Sequence, residues 1–207
     1  MSDPQRLIIL GSRNRGKLRE LQAALGPLGV ELRGLDAYPA AIVPEETGQS
    51  FAENARLKAT DLARELGAWV LADDSGLCVD ALDGRPGVHT ARYGGPGATD
   101  AQKIEKLLEE LRDTDVPHRG ARFVCALALA TPDGVIFEVE ESCRGRITRH
   151  PRGENGFGYD PVFLYPDFGA TFAEVSDEAK GKVSHRGRAV RGLAEALPGL
   201  LAERERE

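Results

Sequence analysis

The amino-acid sequence predicts an α/β protein, in which strands and helices alternate along one chain. Three observations carry this prediction. Residues 6–11 form a short β-type run, and the loop after them leads into leucines at helical spacing. Residues 69–82 form an apolar run of strand character that contains two adjacent acids. Residues 122–130 and 135–139 flank a Pro-Asp-Gly turn, which is typical of a hairpin, and the first of them is apolar on both faces, as a central strand is.

The composition is that of one globular domain with room for two lobes. The chain has 207 residues, of which 41% are hydrophobic and 29% charged, so it can bury a sizeable core without a metal ion or a disulfide. The formal net charge of -6 argues against a dedicated nucleic-acid-binding surface. Any polyanion that binds must therefore meet a local basic cluster.

The cysteines and the N-terminus predict a cytoplasmic protein. Cys78, Cys125 and Cys143 are odd in number and lack CxxC spacing, so we expect small buried thiols of a reducing compartment. The first apolar run is too short for a signal peptide, and no segment has membrane length. We expect neither a membrane nor a nucleic acid as partner.

Residues 12–16 form a loop at the start of the first predicted helix. Free N–H groups and the positive end of the helix dipole make this loop a natural phosphate site, and Lys17 adds a full charge. Residues 11–17 also match the P-loop pattern GxxxxGK, but Leu18 stands where that motif has the hydroxyl that binds magnesium. The alternatives are a P-loop and a simple helix cap with a surface lysine.

Residues 30–35 are the next predicted strand, and a helix is predicted to start at Ser50. Ser50 and Glu53 have the spacing of a capping box. Apolar residues at helical spacing form one stripe of this helix, whereas Asn54 and Lys58, four residues apart, share a different face.

Two acid pairs lie in or beside predicted strands. Asp73 and Asp74 precede a Ser-Gly dipeptide, so we expect the central strand to end there, at the kind of rim where open α/β sheets bind ligands. Successive strand residues point to opposite faces, so at most one acid of each pair enters a given site. One acid from this pair and one from Glu45 and Glu46 could hold Mg²⁺ against phosphate oxygens, while another takes a proton from water. The alternative is that these acids only solvate strand ends.

The second half of the chain is predicted to contain two further helices. Thr99 begins a capping box with the Gln three residues later. Ser184 is expected to cap the last helix, which Pro198 ends. Residues 203–207 are predicted to form a solvated charged tail.

Two segments of this half have nucleotide-binding character. Residues 156–160, Gly-Phe-Gly-Tyr-Asp, place rings beside flexible backbone, which suits either a base pocket or a tight turn with core aromatics. A basic cluster follows, and a net-acidic protein that binds a nucleoside triphosphate needs such a local concentration of cations. The alternative is a solvated helix face. The cluster comprises Lys180, Lys182, His185, Arg186, Arg188 and Arg191.

Six segments form a recognisable pattern over nearly the whole chain. They are Ser12-x-Asn14-x-x-Lys17, EETGQSFAENARLKA (45–59), ADDSGLCVDAL (72–82), GRPGVHTARY (84–93), GFGYDPVF (156–163) and SHRGRA (184–189). Together they resemble the inosine triphosphate pyrophosphatase family, which hydrolyses non-standard purine nucleoside triphosphates. The resemblance implies an elongated mixed sheet flanked by helices, two lobes with a nucleotide cleft between them, and a cytoplasmic homodimer.

The resemblance also implies a reaction and a set of site residues. The reaction is hydrolysis of ITP, dITP or XTP between the α and β phosphates, with magnesium, to the monophosphate and pyrophosphate. By position, Asp74 matches the general base and a metal ligand, and Glu45 or Glu46 matches the second metal-binding acid. The positions that match substrate-binding residues are Ser12, Arg13, Asn14, Arg15, Gly16, Lys17, Ser75, Phe157, Gly158, Tyr159, Asp160, Lys180, His185 and Arg186.

The chain departs from the family pattern in two places. Ser12 stands where the family commonly has Thr, which keeps the hydroxyl, and His89-Thr90 replaces a more usual aromatic-Ser pair. A rival hypothesis is a nucleotide-sensing protein without turnover, because a phosphate-binding loop alone would serve that role. The acid pairs favour the enzyme, since a sensor has no need of a metal-held water.

Overall fold

The computed structural model describes residues 7–204, and these confirm the α/β class. Arg6, predicted to begin the first strand, and residues 205–207 of the predicted tail lie outside this range. Within it the strands are β1 (Leu7–Leu10), β2 (Glu31–Gly34), β3 (Val70–Val79), β4 (Gly120–Thr131), β5 (Gly134–Ile147), β6 (Phe163–Tyr165) and β7 (Ala170–Thr171). The α-helices are α1 (Arg15–Leu25), α2 (Phe51–Leu66), α3 (Asp100–Glu110), α4 (Asp177–Val183) and α5 (His185–Arg204).

The strands form one mixed sheet in the order β2-β1-β3-β4-β5-β6-β7. β1 pairs in parallel with β2 and with β3, whereas β6 pairs antiparallel with β5 and with β7. The predicted mixed sheet is therefore confirmed. β4 and β5 are neighbours in the sheet and are separated by two residues, as the predicted hairpin requires.

The described chain divides into two compact units. The first contains the described residues up to Asp74, Cys125–Glu141 and the residues from Arg186 onward. The second contains Ser75–Val124 and Ser142–His185.

The core of the first unit joins α1 and α5 to β1, β2, β3 and β4. Cys125, Leu127 and Leu129 alternate along β4, so one face of this strand enters the core. The helices contribute residues at helical spacing. These are Leu21, Leu25, Ala189, Val190, Leu193 and Leu197.

The core of the second unit is rich in aromatic rings. Phe123 and Phe163 have ring centroids 4.5 Å apart, and Phe163 and Phe172 have centroids 5.0 Å apart. Leu77 and Val79, both fully buried, belong to the same cluster. The second half of β3 therefore packs in a hydrophobic core of its own.

The course of β3 corrects the prediction that this strand ends at its two acids. The strand continues through the Ser-Gly dipeptide to Val79. A Ser-Gly pair is a turn signal only where no packing opposes it, and here Leu77 and Val79 keep the chain extended by entering a core. Asp73 and Asp74 thus lie in the middle of a ten-residue strand, and both are buried.

The two predicted capping boxes are confirmed, whereas the predicted end of the last helix is wrong. Ser50 and Thr99 both form the predicted capping boxes. Pro198 was expected to end α5, but it lies inside that helix. A proline removes one backbone hydrogen bond, yet Leu200 and Leu201 beyond it pack against the first core, and this packing holds the last turn in place.

The three cysteines are buried and in the free thiol form, as predicted. Between residues 7 and 204, no helix combines the length and the apolar character that crossing a membrane requires.

Candidate active site

Asp73 lies at the centre of a buried ion-pair cluster in the first unit. Its carboxylate accepts a hydrogen bond from Arg186 Nε at 2.8 Å and one from the Cys125 thiol at 3.3 Å, and it forms an ion pair with Lys17. Burial alone would raise the pKa of Asp73, but the charges of Arg186 and Lys17 outweigh it and hold the pKa well below its usual value. Asp73 is therefore an anchor that is ionised at neutral pH.

Arg186 continues this cluster to a second carboxylate. It lies in the first turn of α5, is buried, and donates from Nη1 to Glu20 of α1 at 2.6 Å. Arg186 and Lys17 carry two positive formal charges against the two negative charges of Asp73 and Glu20. The cations that the resemblance assigns to the triphosphate are thus already matched by carboxylates in the protein itself.

The side chains that donate hydrogen bonds to Asp74 are different and lie on α2. Its Oδ1 accepts from Lys58 Nζ at 3.0 Å, and its Oδ2 accepts from Asn54 Nδ2 at 3.3 Å. Lys58 also donates to Glu46 at 2.7 Å and to the backbone carbonyl of Asp73 at 3.0 Å. The pleat prediction is confirmed in that the adjacent acids Asp73 and Asp74 bind different side chains.

The pKa values of this second cluster shift in opposite directions. Burial raises the pKa of Asp74; Lys58 opposes this rise, and the neighbouring Glu46 carboxylate adds to it, so the net shift is upward. Burial would also raise the pKa of Glu46, but the hydrogen bond and the charge of Lys58, together with the charge of Lys17, outweigh burial and lower the pKa. Asp74 is therefore the carboxylate of the pair that accepts a proton more readily, as a general base should.

Solvent exposure distinguishes the two acids of the pair before α2. Glu46 is half-buried and binds Lys58, whereas Glu45 is exposed to solvent. The carboxylate that joins Asp74 is therefore Glu46, which the sequence alone left open.

The first loop is organised by its own side chains. Asn14 caps α1, and its Oδ1 accepts from the backbone N–H groups of Gly16 and Lys17 at 2.9 and 3.2 Å. Ser12 Oγ accepts from the N–H of Asn14 at 3.1 Å. Two N–H groups that a P-loop would turn toward phosphate are thus used inside the loop, which argues against that alternative.

The three cationic side chains of this loop point to different partners. Lys17 reaches Asp73, Arg13 donates to the backbone carbonyl of Ala41 at 3.2 Å, and Arg15 is exposed, 3.7 Å from Asp36. Lys17 is therefore the cation of this loop that the structure brings to the acids of β3.

The glycine-aromatic segment is fixed by buried polar contacts in the second unit. Asp160 is 2% exposed and accepts from Lys180 Nζ at 2.7 Å and from the N–H of Phe157 at 2.9 Å. Lys180 also lies over the Phe157 ring, 4.8 Å from its centroid. Gly156 has a positive φ, and a side chain there would overlap the Asp160 carboxylate, so glycine is required.

The other predicted residues of the second unit differ in burial. Tyr159 is buried, its hydroxyl donates to the carbonyl of Thr90 at 3.3 Å, and burial raises its pKa. Gly158 donates its N–H to Asp100 at 2.8 Å. His185 is buried and stacks on Phe123 with ring centroids 4.7 Å apart, and Ser75 is half-buried in β3.

A cavity of about 930 Å³ adjoins this segment in the second unit. Phe157, Gly158, Ile104 and Leu108 are among the residues that line it, and so is Asp100, the first residue of α3. Phe157, whose ring is half-buried, is thus the aromatic residue of the segment that lines this cavity.

Several charged or amide side chains that bind the predicted residues were not identified from the sequence. They are Glu20, Asn54, Lys58 and Asp100. For Asn54 and Lys58 a signal existed, because two polar residues four apart shared one face of α2, but nothing local indicated that this face would be buried against Asp74.

The whole sequence matches known proteins closely. The sequence model of the Ham1 family matches residues 8–196. The chain belongs to the Ham1 family. A dITP/XTP pyrophosphatase of Geobacillus kaustophilus is 50% identical over 199 residues, which are 96% of this chain and 98% of that protein.

Solved structures of Ham1 proteins share the fold. A HAM1 protein from Coxiella burnetii is 40% identical and superposes with a TM-score of 0.83 over 93% of this chain and 98% of its own. The nucleoside-triphosphatase, or dITP/XTP pyrophosphatase, of Mycobacterium abscessus is 46% identical, with a TM-score of 0.73 over 90% and 98% of the two chains. The family resemblance inferred from the six motifs is thereby confirmed for this Ham1 protein.

Proposed function

We propose that this protein hydrolyses the non-standard purine nucleoside triphosphates ITP, dITP and XTP to the monophosphate and pyrophosphate, and so excludes them from nucleotide pools. The names of its relatives support this reaction. The observation that carries the proposal is the pairing of Asp74, buried and with a raised pKa, with Glu46 across Lys58. A nucleotide sensor would have no use for two carboxylates held in this way.

In the proposed reaction Asp74 is the general base. Its raised pKa brings proton affinity closer to neutral pH, which is where a base that deprotonates water is most effective. Lys58 keeps the carboxylate oriented through Oδ1. The water attacks the α phosphorus and pyrophosphate leaves, so the remaining catalysis consists of positioning and charge neutralisation.

We also propose Mg²⁺ as cofactor, held by Asp74 and Glu46, and the residues fit this ion. Residues 7–204 contain no group of three or more His, Cys, Asp or Glu side chains arranged as a metal site. Magnesium is commonly held by one or two carboxylates together with substrate phosphates, so two carboxylates are sufficient. The bound ion would neutralise charge on the phosphate oxygens.

The formal charge of the two clusters supports a cation requirement. The two clusters contain three cations, Lys17, Lys58 and Arg186, and four carboxylates, Glu20, Glu46, Asp73 and Asp74, so their formal charge is 3 - 4 = -1. A triphosphate carries about four negative charges and would be repelled by this excess. A bound divalent cation would make the formal charge of the two clusters positive.

For the purine base we propose the segment around Phe157. Its ring is half-buried beside a cavity, and Lys180 and Asp160 hold the segment in place. Stacking on an aromatic face is tolerant of base identity. Discrimination against ATP therefore requires a hydrogen-bond donor aimed at the 6-oxo group, because adenine carries a 6-amino group there and would leave that donor without an acceptor.

We propose further that the chain acts as a homodimer in the cytoplasm, as its family resemblance implies. Light scattering of the purified protein should give twice the 22.3 kDa mass of one chain. A mass of one chain at micromolar concentration would contradict this part of the proposal.

Product identity tests the proposed function. Purified protein with Mg²⁺ should release pyrophosphate from ITP, dITP and XTP far faster than from ATP. Stoichiometric binding without product would instead indicate a sensor, and release of orthophosphate would indicate cleavage at the γ position, as a P-loop enzyme performs. Asp74→Asn serves as the control for a contaminating phosphatase.

A further inference from the structure

Asn54 is a buried amide whose two ends bind two different parts of the first unit. Its Nδ2 donates to Asp74 Oδ2 at 3.3 Å, and its Oδ1 accepts from the backbone N–H of Gly48 at 2.8 Å. Asn54 is only 1% exposed. A backbone N–H can only donate and an ionised carboxylate can only accept, so these partners fix the orientation of the amide.

The donor end of Asn54 completes the grip on the Asp74 carboxylate. Lys58 lies one turn further along α2 and donates to the other oxygen, Oδ1, at 3.0 Å. The terminal torsion of an aspartate is broad, so a single donor would leave the carboxylate plane free to rotate. Two donors on two oxygens fix that plane.

The acceptor end of Asn54 ties down the loop that carries Glu46. Gly48 follows Glu46 by two residues, and a Cβ at Gly48 would lie 2.7 Å from Asn54 Oδ1 and 2.8 Å from Glu53 Cβ. Glycine is therefore what lets the loop approach α2 this closely. The same loop is held again by Glu46, which binds Lys58 at 2.7 Å.

We propose that Asn54 is a positioning residue that holds the Asp74 carboxylate and the Glu46 loop in one fixed geometry, an inference that rests on the proposed function of this site. Asn54 acts through Asp74 and Gly48 and is not assigned any contact with the substrate. Its removal should leave nucleotide binding largely intact but misplace the base and its companion carboxylate. Displacements of this kind, about 1 Å, can cost about a hundredfold in rate.

Two variants separate the two ends of the amide. Asn54→Asp has nearly the same shape and keeps an acceptor for Gly48, but replaces the donor to Asp74 by a second negative charge. Asn54→Leu removes both contacts without adding charge. We expect both to lower kcat for ITP by about 10–100-fold while KM changes by less than about threefold.

Hydrogen exchange of the Gly48 amide provides a readout that does not depend on catalysis or on the metal. In chelator-containing buffer, exchange of this N–H should accelerate in Asn54→Leu, because its acceptor is lost. It should stay slow in Asn54→Asp, which retains the acceptor. This difference directly reports whether Asn54 holds the loop through the Gly48 N–H.

Gln22 offers a matched control. It is an amide on α1 that also bridges two backbone groups, since its Nε2 donates to the carbonyl of Val30 at 3.5 Å and its Oε1 accepts from the N–H of Leu32 at 3.0 Å. Gln22→Leu should lower thermal stability, as the loss of any half-buried amide does, yet leave kcat unchanged.

Several results would overturn the proposal. They are an unchanged kcat in Asn54→Leu, an equal loss of kcat in Gln22→Leu, or a rise in KM as large as the fall in kcat. If the unmodified protein releases pyrophosphate from no triphosphate, the proposed function fails by itself. The Gly48 measurement then still tests the positioning role of Asn54, since unchanged exchange in Asn54→Leu would show that the amide does not hold the Glu46 loop.

Discussion

The two acids of β3 are adjacent in sequence but lie in clusters of opposite character. Asp73 is surrounded by cations, and its partners Lys17 and Arg186 leave its pKa well below the usual value. Asp74 shares one lysine with a second carboxylate, Glu46, and its pKa is raised. Both are buried, so exposure does not distinguish them.

The difference teaches that charge balance, more than burial, distinguishes the anchoring carboxylate from the proposed catalytic carboxylate here. A carboxylate whose charge is matched twice cannot readily gain a proton or release its partners. A carboxylate with an excess of negative charge beside it can accept a proton or a divalent cation. The pleat of the strand separates these roles across a single peptide bond.

The largest effect is expected for catalysis by Asp74→Asn. This substitution removes the proposed base and metal ligand but keeps the shape of the side chain, so kcat for ITP should fall by about 10²–10⁴-fold. Nucleotide binding, measured by calorimetry, should remain largely intact. Retention of activity, or a larger loss from Asp73→Asn in a protein that is still folded, would reverse the assignment within the pair.

Asp73→Asn should instead act on stability. It leaves the buried Arg186 with one carboxylate fewer, and breaking a buried ion pair typically costs about 3–5 kcal/mol of the free energy of unfolding. Urea denaturation followed by circular dichroism measures this change. Glu178→Gln, which breaks an exposed pair with Lys182, should have little effect, and a similar effect of both changes would contradict the buried anchor.

Local signals allowed part of this architecture to be predicted from sequence. The capping boxes at Ser50 and Thr99 depend on residues within three positions, so their pattern is visible in the chain itself. The continuation of β3 and the place of Pro198 inside α5 could not be predicted, because packing against distant residues overrides the local turn and break signals.

In the candidate site, too, local motifs could be predicted from the sequence and contacts between distant residues could not. The motifs predicted Lys17, Asp74 and Arg186 as site residues, but they did not show that Lys17 and Arg186 would be bound to Asp73. Partners such as Glu20 come from elements far apart in sequence, with 166 positions separating it from Arg186. Spacing along the chain carries no information about such contacts.

Glu46 and Glu45 provide a neighbouring pair for a third prediction. Glu46→Gln should lower kcat/KM for ITP and raise the Mg²⁺ concentration needed for half-maximal activity, each by about 10–100-fold, because a proposed ligand is lost. Glu45→Gln should change neither, since that side chain is exposed. Titration of activity with Mg²⁺ at fixed ITP measures both. Equal effects of the two substitutions would place Glu45 at the metal as well.

The smallest expected effect, and the most direct test of the contrast, is the pH dependence of stability. Asp73 has a lowered pKa in the folded state, so its stabilisation is present above the ordinary carboxyl pKa of about 3.9 and is lost as pH falls through the lowered value. Asp74 has a raised pKa, so its contribution is present below about 3.9 and is lost as pH rises through the raised value.

Comparing each Asn variant with the unmodified protein isolates these two contributions. In buffer with a chelator, the stability advantage of the unmodified protein over Asp73→Asn should shrink as pH falls below about 4. Its stability relative to Asp74→Asn should decline as pH rises above about 4. Denaturation curves at a series of pH values therefore give slopes of opposite sign for two neighbouring residues. Slopes of the same sign would mean that the two carboxylates have similar electrostatic surroundings. The contrast between Asp73 and Asp74 would then be wrong.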